Sequence, residues 1–138
     1  MREKTLKLLG LMRRAGAISP GEDQAGESVR AGKAKLLLFS SDISDNARRK
    51  AENLSQGSNV QLISLPFDRG ELGAALGLGS CSLAAVTDLG FAQALMRLLA
   101  DLRPEDYAAA AQAVRERSEK AARRKAQKGS KRTRRTNV

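Results

Sequence analysis

The chain has 138 residues, 41% hydrophobic and 29% charged, which suits a single domain with one core and an extension. Aromatic residues make up only 3% (Phe39, Phe67, Phe91 and Tyr107), which argues against modules that read single strands by stacking bases on aromatic faces. Histidine is absent and Cys81 stands alone, which excludes an intrachain disulfide, a Cys/His zinc site and a histidine general base, so no catalytic residue, metal or cofactor is expected.

Along the chain, Leu6, Leu9 and Met12, flanked by Leu8 and Leu11, predict a helix over Thr5 to Ala15, closed by Gly16. Its apolar run from Leu8 to Met12 contains Gly10 and falls far short of the ~18 residues a membrane span needs. With no cleavage signature downstream, the expected location is the cytoplasm and no membrane partner is expected. Ser19-Pro20-Gly21-Glu22 reads as a capping box, with Ser19 at the N-cap and Pro20 at the first helical position, opening a second helix that Gly32 closes. Lys35 to Phe39 is a short apolar run expected of a strand buried on both faces.

Ser44 opens a charged helix to Gln56 that Gly57 ends, and Val60 to Ser64 is a second central strand. Asp68 and Glu71 repeat the capping spacing before a short helix holding Leu72 and Leu76. Leu83 to Thr87 is a further strand, and Asp88 caps a long helix with Phe91, Leu95, Leu98, Leu99 and Leu102 as its apolar stripe. Alternation of helix and strand predicts an α/β fold, a three-layer α/β/α sandwich around a small mixed sheet.

Pro104 divides an α/β/α domain at 1–103 from a basic tail at 104–138. The tail is Ala-rich and helical to Lys128, with Tyr107 and Val114 as its only bulky apolar residues, so little of it is expected to be buried. From Gly129 to Val138 low hydrophobicity predicts disorder until binding. Charge follows the same division. From Ala113 onward there are 11 basic and 2 acidic residues, against 14 and 13 before it. A tail of this density is a polyanion-binding arm, with Arg123, Arg124, Lys125, Lys131, Arg132, Arg134 and Arg135 as its candidate phosphate contacts.

Four strings carry a resemblance: Leu8 to Gly16, Gly21 through Gly32-Lys33-Ala34-Lys35-Leu36, Glu71-Leu72-Gly73, and Val86-Thr87-Asp88-Leu89-Gly90-Phe91-Ala92. Over roughly residues 3 to 100 the chain resembles the bacterial branch of the ribosomal protein L-seven-Ae family. The resemblance implies a three-layer α/β/α fold, no enzymatic activity, and binding to kink-turn RNA, a duplex bent at a bulge beside tandem sheared G·A pairs. In that family a helix begins with a G-x-N-E-x-x-K pattern whose residues face the G·A pairs and nearby phosphates. The matching positions here are Gly21, Asp23, Gln24 and Glu27.

Gly21 suits a helix start that must approach RNA closely, and the Gln24 amide can both donate to and accept from a base edge. Asp23 and Glu27 depart from the pattern, because a carboxylate cannot donate to guanine and repels phosphate. Read without the family, they stabilise a helix start. Arg30, Lys33 and Lys35, with Arg13 and Arg14, are nearby cations that can compensate. The family's apolar loop maps onto Leu78-Gly79-Ser80-Cys81-Ser82-Leu83. Read without the family, Gly77-Leu78-Gly79-Ser80 is a weak Gly-rich phosphate loop that lacks the Lys-Ser/Thr ending and precedes a strand. Cys81 reads as a packing cysteine, since no histidine partners it.

Together these readings describe a non-enzymatic, monomeric protein of ribosomal or other structured RNA, associated with the ribosome. The alternatives are a substrate-binding accessory domain for an RNA-modifying enzyme, whose cofactor domain another chain supplies, and a protein-interaction adaptor. The adaptor predicts an exposed apolar patch and no salt-sensitive RNA affinity.

Overall fold

The computed structural model describes residues 1–136, with their side chains through residue 126. In chain order the elements are α1 (Arg2–Arg14), β1 (Ile18–Pro20), α2 (Glu22–Arg30), β2 (Leu36–Phe39), α3 (Asp45–Ser58), β3 (Gln61–Ser64), α4 (Arg69–Ala75), β4 (Leu83–Val86), α5 (Leu89–Leu102) and α6 (Pro104–Thr136). The sheet order is β1-β4-β2-β3, with β2 and β3 parallel and both pairings of β4 antiparallel, so β3 is an edge strand paired with β2 alone and not the central strand expected.

Alternation along the two central strands makes the three layers. Leu36 and Leu38 enter one core cluster while Leu37 and Phe39 enter another, and Ala84 and Val86 separate from Leu83 and Ala85 in the same way, as the twofold pleat requires. The larger cluster gathers Leu9 and Met12 of α1, Leu72 of α4 and Leu95 and Leu99 of α5. On the opposite face, Ala25 and Val29 of α2 meet Ala51 of α3. The fold is therefore the α/β sandwich that the alternation of elements predicts.

Local capping signals at three helices are realised in hydrogen bonds. Ser44 Oγ accepts from Ala47 N–H at 3.2 Å, and Asp88 Oδ1 accepts from Phe91 N–H at 2.8 Å. Asp68 and Glu71 form a full capping box, with bonds of 2.8 and 3.1 Å.

The capping box at Ser19-Pro20-Gly21-Glu22 is corrected. Ser19 and Pro20 belong to β1, paired with Ala85 and Ala84 of β4, and the N-cap is Gly21 at φ 91°. As an edge strand β1 tolerates the missing proline N–H, and Ser19 Oγ is 2.7 Å from Ser28 Oγ, tying β1 to α2 instead of capping it. Other differences are smaller. α3 continues through Gly57 to Ser58, where Asn59 takes the left-handed conformation at φ 62°. The buried face of α5 is Ala92, Leu95, Met96 and Leu99, so Phe91, Leu98 and Leu102 lie at its margin.

The expectation that little of the stretch after Pro104 is buried is also corrected. Tyr107, Ala111 and Val114 belong to the larger core cluster, Val114 with 1% of its surface exposed. Their spacing of four and three residues places them on one side of the helix. The Tyr107 hydroxyl donates to the carbonyl of Ser64 at the end of β3, whereas the Arg117 guanidinium donates to the carbonyl of Lys35, just before β2, at 3.4 Å. Because β2 and β3 are parallel, those two carbonyls mark opposite ends of the sheet. α6 therefore crosses the sheet between residues 107 and 117, about 15 Å of helix, and leaves the domain at the end where β2 begins. The backbone continues α6 to Thr136. The expected disorder of 129–138 until binding concerns a segment whose side chains lie outside the described residues.

Candidate nucleic-acid interface

Gly21 joins the sheet to α2. Its N–H donates to the carbonyl of Leu83 at 2.8 Å, ending the β1 ladder, and its positive φ then turns the chain into the helix. A side chain at that φ is strained, so the turn favours glycine. No side chain caps α2, so its first-turn N–H groups and the positive end of the helix dipole face outward.

Opposite this helix start, the loop from Leu78 to Ser82 is held by three backbone bonds. Leu78 N–H donates to Gly73 (2.7 Å), Cys81 N–H to Arg69 (3.0 Å), and Ser40 N–H to Ser82 (3.0 Å). The loop packs so closely on α4 that a Cβ at Gly73 would lie 2.5 Å from Ser80 Cα. Cys81 points inward, 5% exposed, and its thiol donates to the Leu83 carbonyl at 3.3 Å. Leu78 is 38% exposed, an apolar side chain offered at the surface.

Between them lies a cavity of about 430 Å³ bordered by Gly21 and Gln24 on one side and Leu78, Ser80, Cys81 and Ser82 on the other. Arg13 from the end of α1 and Arg69 from the start of α4 complete its wall. The Arg69 Nε donates to Asp42 Oδ2 at 3.3 Å while its backbone N–H donates to Asp42 Oδ1 at 2.8 Å, which fixes how the guanidinium is presented. Desolvation pushes the Asp42 carboxyl up, but the Arg69 hydrogen bonds and charge outweigh it and hold that carboxyl below the usual carboxylate range. Arg13 forms no ion pair among the described residues. The cavity thus combines two cations, an amide that donates and accepts, small loop residues and an exposed leucine.

Other candidates lie elsewhere. Asp23 and Arg30 border a second cavity of about 400 Å³ between α2 and α3, with Lys50 and Asn53 across from them. Lys50 pairs there with Glu22 at 3.7 Å. Glu27 and Gly79 are exposed, and neither borders the Gln24 cavity. Lys33 and Lys35 sit at the opposite end of the sheet, where Lys35 N–H meets the Val86 carbonyl, because β2 carries the chain away from them toward the cavity. Arg123, Arg124 and Lys125 are exposed on α6 beyond its packed part, and the side chains of Lys131, Arg132, Arg134 and Arg135 lie outside the described residues.

Sequence reasoning missed Asp42, Arg69 and Gly73 as parts of the site. Gly73 stood inside the Glu71-Leu72-Gly73 string, whereas the meeting of Asp42 with Arg69, 27 residues apart, leaves no local signal.

Among the described residues there is no metal-ligand cluster of three or more His, Cys, Asp or Glu side chains, and no helix is long and apolar enough to cross a membrane. The model of the Ribosomal protein L7Ae/L30e/S12e/Gadd45 family matches residues 3–96. The RNA-binding protein YlxQ of Bacillus subtilis (strain 168) is 36% identical over 92 residues, covering 67% of this chain and 91% of that protein. The RNA-binding protein YlxQ of Enterococcus faecium is 30% identical over 98 residues, covering 71% and 93%. A solved protein of unknown function from Bacillus halodurans C superposes with a TM-score of 0.64 at 30% identity, covering 69% of this chain and 95% of that one. With its family match spanning all four strands, and α6 beyond it, this chain belongs to the Ribosomal protein L7Ae/L30e/S12e/Gadd45 family.

Proposed function

We propose that the chain is a non-enzymatic RNA-binding protein, a cytoplasmic monomer associated with ribosomal RNA or the ribosome, that recognises kink-turn-like structured RNA through the Gln24 cavity. The observation that carries this reading is the convergence of Gly21, Gln24, Arg13, Arg69 and the Leu78 to Ser82 loop on one cavity. The arginines and the uncapped helix start suit phosphates, Gln24 suits a purine edge, and the loop suits packing on splayed nucleotides. The family and the two relatives named as RNA-binding proteins support the same class of ligand. Basic residues of α6 add affinity through phosphates without reading sequence.

A binding titration against a kink-turn, and against the same RNA with its G·A pairs replaced by Watson–Crick pairs, tests the reading. Tighter binding to the intact RNA, weakened tenfold or more by Gln24→Ala, supports it, since a base-edge contact is worth ~1–3 kcal/mol. Equal binding to both RNAs refutes it.

The adaptor reading is favoured by one observation, a groove of about 600 Å³ between α1 and α4 whose floor is Leu6, Gly10, Ala74 and Ala75. Leu11, 49% exposed, stands on its edge. RNA affinity at background level and insensitive to salt would favour that reading.

A further inference from the structure

The end of the sheet opposite the cavity gathers basic residues of its own. Lys33 N–H donates to the Ser28 carbonyl at 2.9 Å, fixing the turn after α2, and Lys35 N–H donates to the Val86 carbonyl at 2.6 Å. The Lys35 carbonyl in turn accepts from the Arg117 guanidinium at 3.4 Å. Three cationic residues from two distant parts of the chain are thereby brought to one edge. Beside Arg117, a cavity of about 680 Å³ is bordered by Ser55, Gln56, Ser58, Asn59 and Gln61. That lining offers hydroxyl and amide donors and holds no carboxylate.

Beyond Arg117, α6 runs free of the sheet. Arg117, Lys120 and Arg124 recur at i, i+3 and i+7 and share one side of the helix, all exposed. Glu119 falls on another side of the helix, whereas Glu116 lies one turn before Lys120 and accepts from the Gln112 amide at 3.2 Å. From Tyr107 at the cavity end to Arg124 the helix covers about 25 Å.

We propose that Lys33, Lys35 and Arg117, continued by Lys120 and Arg124, form a second phosphate-binding site, for the backbone of a duplex RNA stem, at the end of the molecule remote from the Gln24 cavity. The inference rests on the RNA-binding reading and adds that one RNA is held at two places. The donors are guanidinium, ammonium and neutral amide groups with no aromatic platform, and Val60, the apolar residue bordering the cavity, is buried. They can grip phosphates in a regular duplex but cannot read bases. Charge complementarity favours a nucleic-acid duplex over an apolar protein partner at this edge.

The test compares the full-length protein with the triple variant Lys33→Gln, Lys35→Gln, Arg117→Gln, and with the pair Lys120→Gln, Arg124→Gln, which touches no protein contact. Each is titrated from 50 to 200 mM salt with three RNAs: a kink-turn with one stem trimmed to a few pairs, the same kink-turn with that stem extended, and a plain duplex of equal length. Three lost phosphate contacts should lower the slope of log K against log salt by about 2.7, so the advantage of the wild type on the extended RNA shrinks about 40-fold between those salts. The trimmed kink-turn should lose less than twofold.

Equal losses on trimmed and extended RNA would overturn the inference by placing these residues at the cavity. Unchanged binding of every RNA by folded variants would overturn it as well, leaving an acidic protein surface as the better occupant. Failure of kink-turn recognition is read separately. It equalises the extended kink-turn and the plain duplex in the wild type, while the slope change in the variants persists on both.

Discussion

The Gln24 cavity and the helix α6 both present cations, yet they are built by different means. At the cavity the cations are few and the parts around them are individually held: Arg69 by the two bonds it donates to Asp42, the loop by three backbone bonds, and α2 by the Gly21 turn. Along α6 past Arg117 they are more numerous, and Lys120, Arg123, Arg124 and Lys125 are exposed, with no ion pair among the described residues. Held groups have fixed directions and can discriminate geometry, whereas mobile surface cations respond to charge density alone. Under the proposed function, this contrast gives selectivity to the cavity and salt-dependent affinity to the helix.

The largest expected effect concerns where α6 stops belonging to the core. Ending the chain at Arg103 removes Tyr107, Ala111 and Val114 from the larger cluster, uncovering part of the sheet. Full burial of a large apolar side chain is worth ~1.5–3 kcal/mol, so this truncation should lose about 4–6 kcal/mol. Ending it at Ser118 instead should leave the melting temperature nearly unchanged. Thermal denaturation of the two shortened chains checks this, and equal losses in both would move the core boundary past residue 118.

At the cavity, Gly73→Ala should cost about 1–3 kcal/mol of stability through overpacking on Ser80. The same variant should weaken kink-turn binding at least tenfold while leaving plain-duplex binding unchanged, which titration of both RNAs measures. A uniform loss on both RNAs would mean that the loop only stabilises the fold.

Glu27→Lys should have a smaller effect. Glu27 is exposed on α2 one turn beyond Gln24, so reversing its charge adds about one unit to the salt slope for all structured RNAs. Asp23→Asn should leave the preference for intact G·A pairs unchanged, because Asp23 borders the α2/α3 cavity and not the Gln24 one. A sharpened preference after Asp23→Asn would move the reading face toward α3.

The smallest effect is a dependence on alkaline pH. Burial pushes the Tyr107 phenol above its ordinary 10.0, with Asp106 adding to the rise and Arg103 opposing it. A raised folded pKa means that the contribution of the neutral phenol is complete below the unfolded pKa and is lost as pH rises through the folded value. Melting temperature should therefore fall more steeply above pH 10 in the wild type than in Tyr107→Phe. The substitution itself costs about 1 kcal/mol near neutrality by removing the bond to Ser64.

The same contrast explains what the sequence disclosed. Ser44, Asp68 and Asp88 were legible as helix starts because each satisfies a donor three residues ahead. Layering was legible from the two-faced apolar run at Leu36 to Phe39. Ser19-Pro20 was misread because an adequate local cap competes with strand pairing to Ala85 and Ala84, far along the chain, and the pairing prevailed. Tyr107 and Val114 were visible as an isolated apolar pair, but the Ser64 carbonyl that receives the phenol was not. For the candidate site, Gly21, Gln24 and the loop were nameable from motif strings, whereas their separation from Lys33 and Lys35 depends on the direction of β2 and cannot be read from adjacency in the chain.

The division of labour between cavity and helix is tested most directly by one titration series. The full chain and the chain ending at Ser118 are each bound to a kink-turn with intact G·A pairs and to one with those pairs replaced, from 50 to 200 mM salt. If six of the cations removed with the helix meet phosphates, the full chain loses ~10³-fold affinity across that range and the shortened chain loses far less. The ratio of intact to replaced RNA should be the same for both proteins at every salt. A ratio that collapses toward one in the shortened chain would contradict the account by placing selectivity on α6.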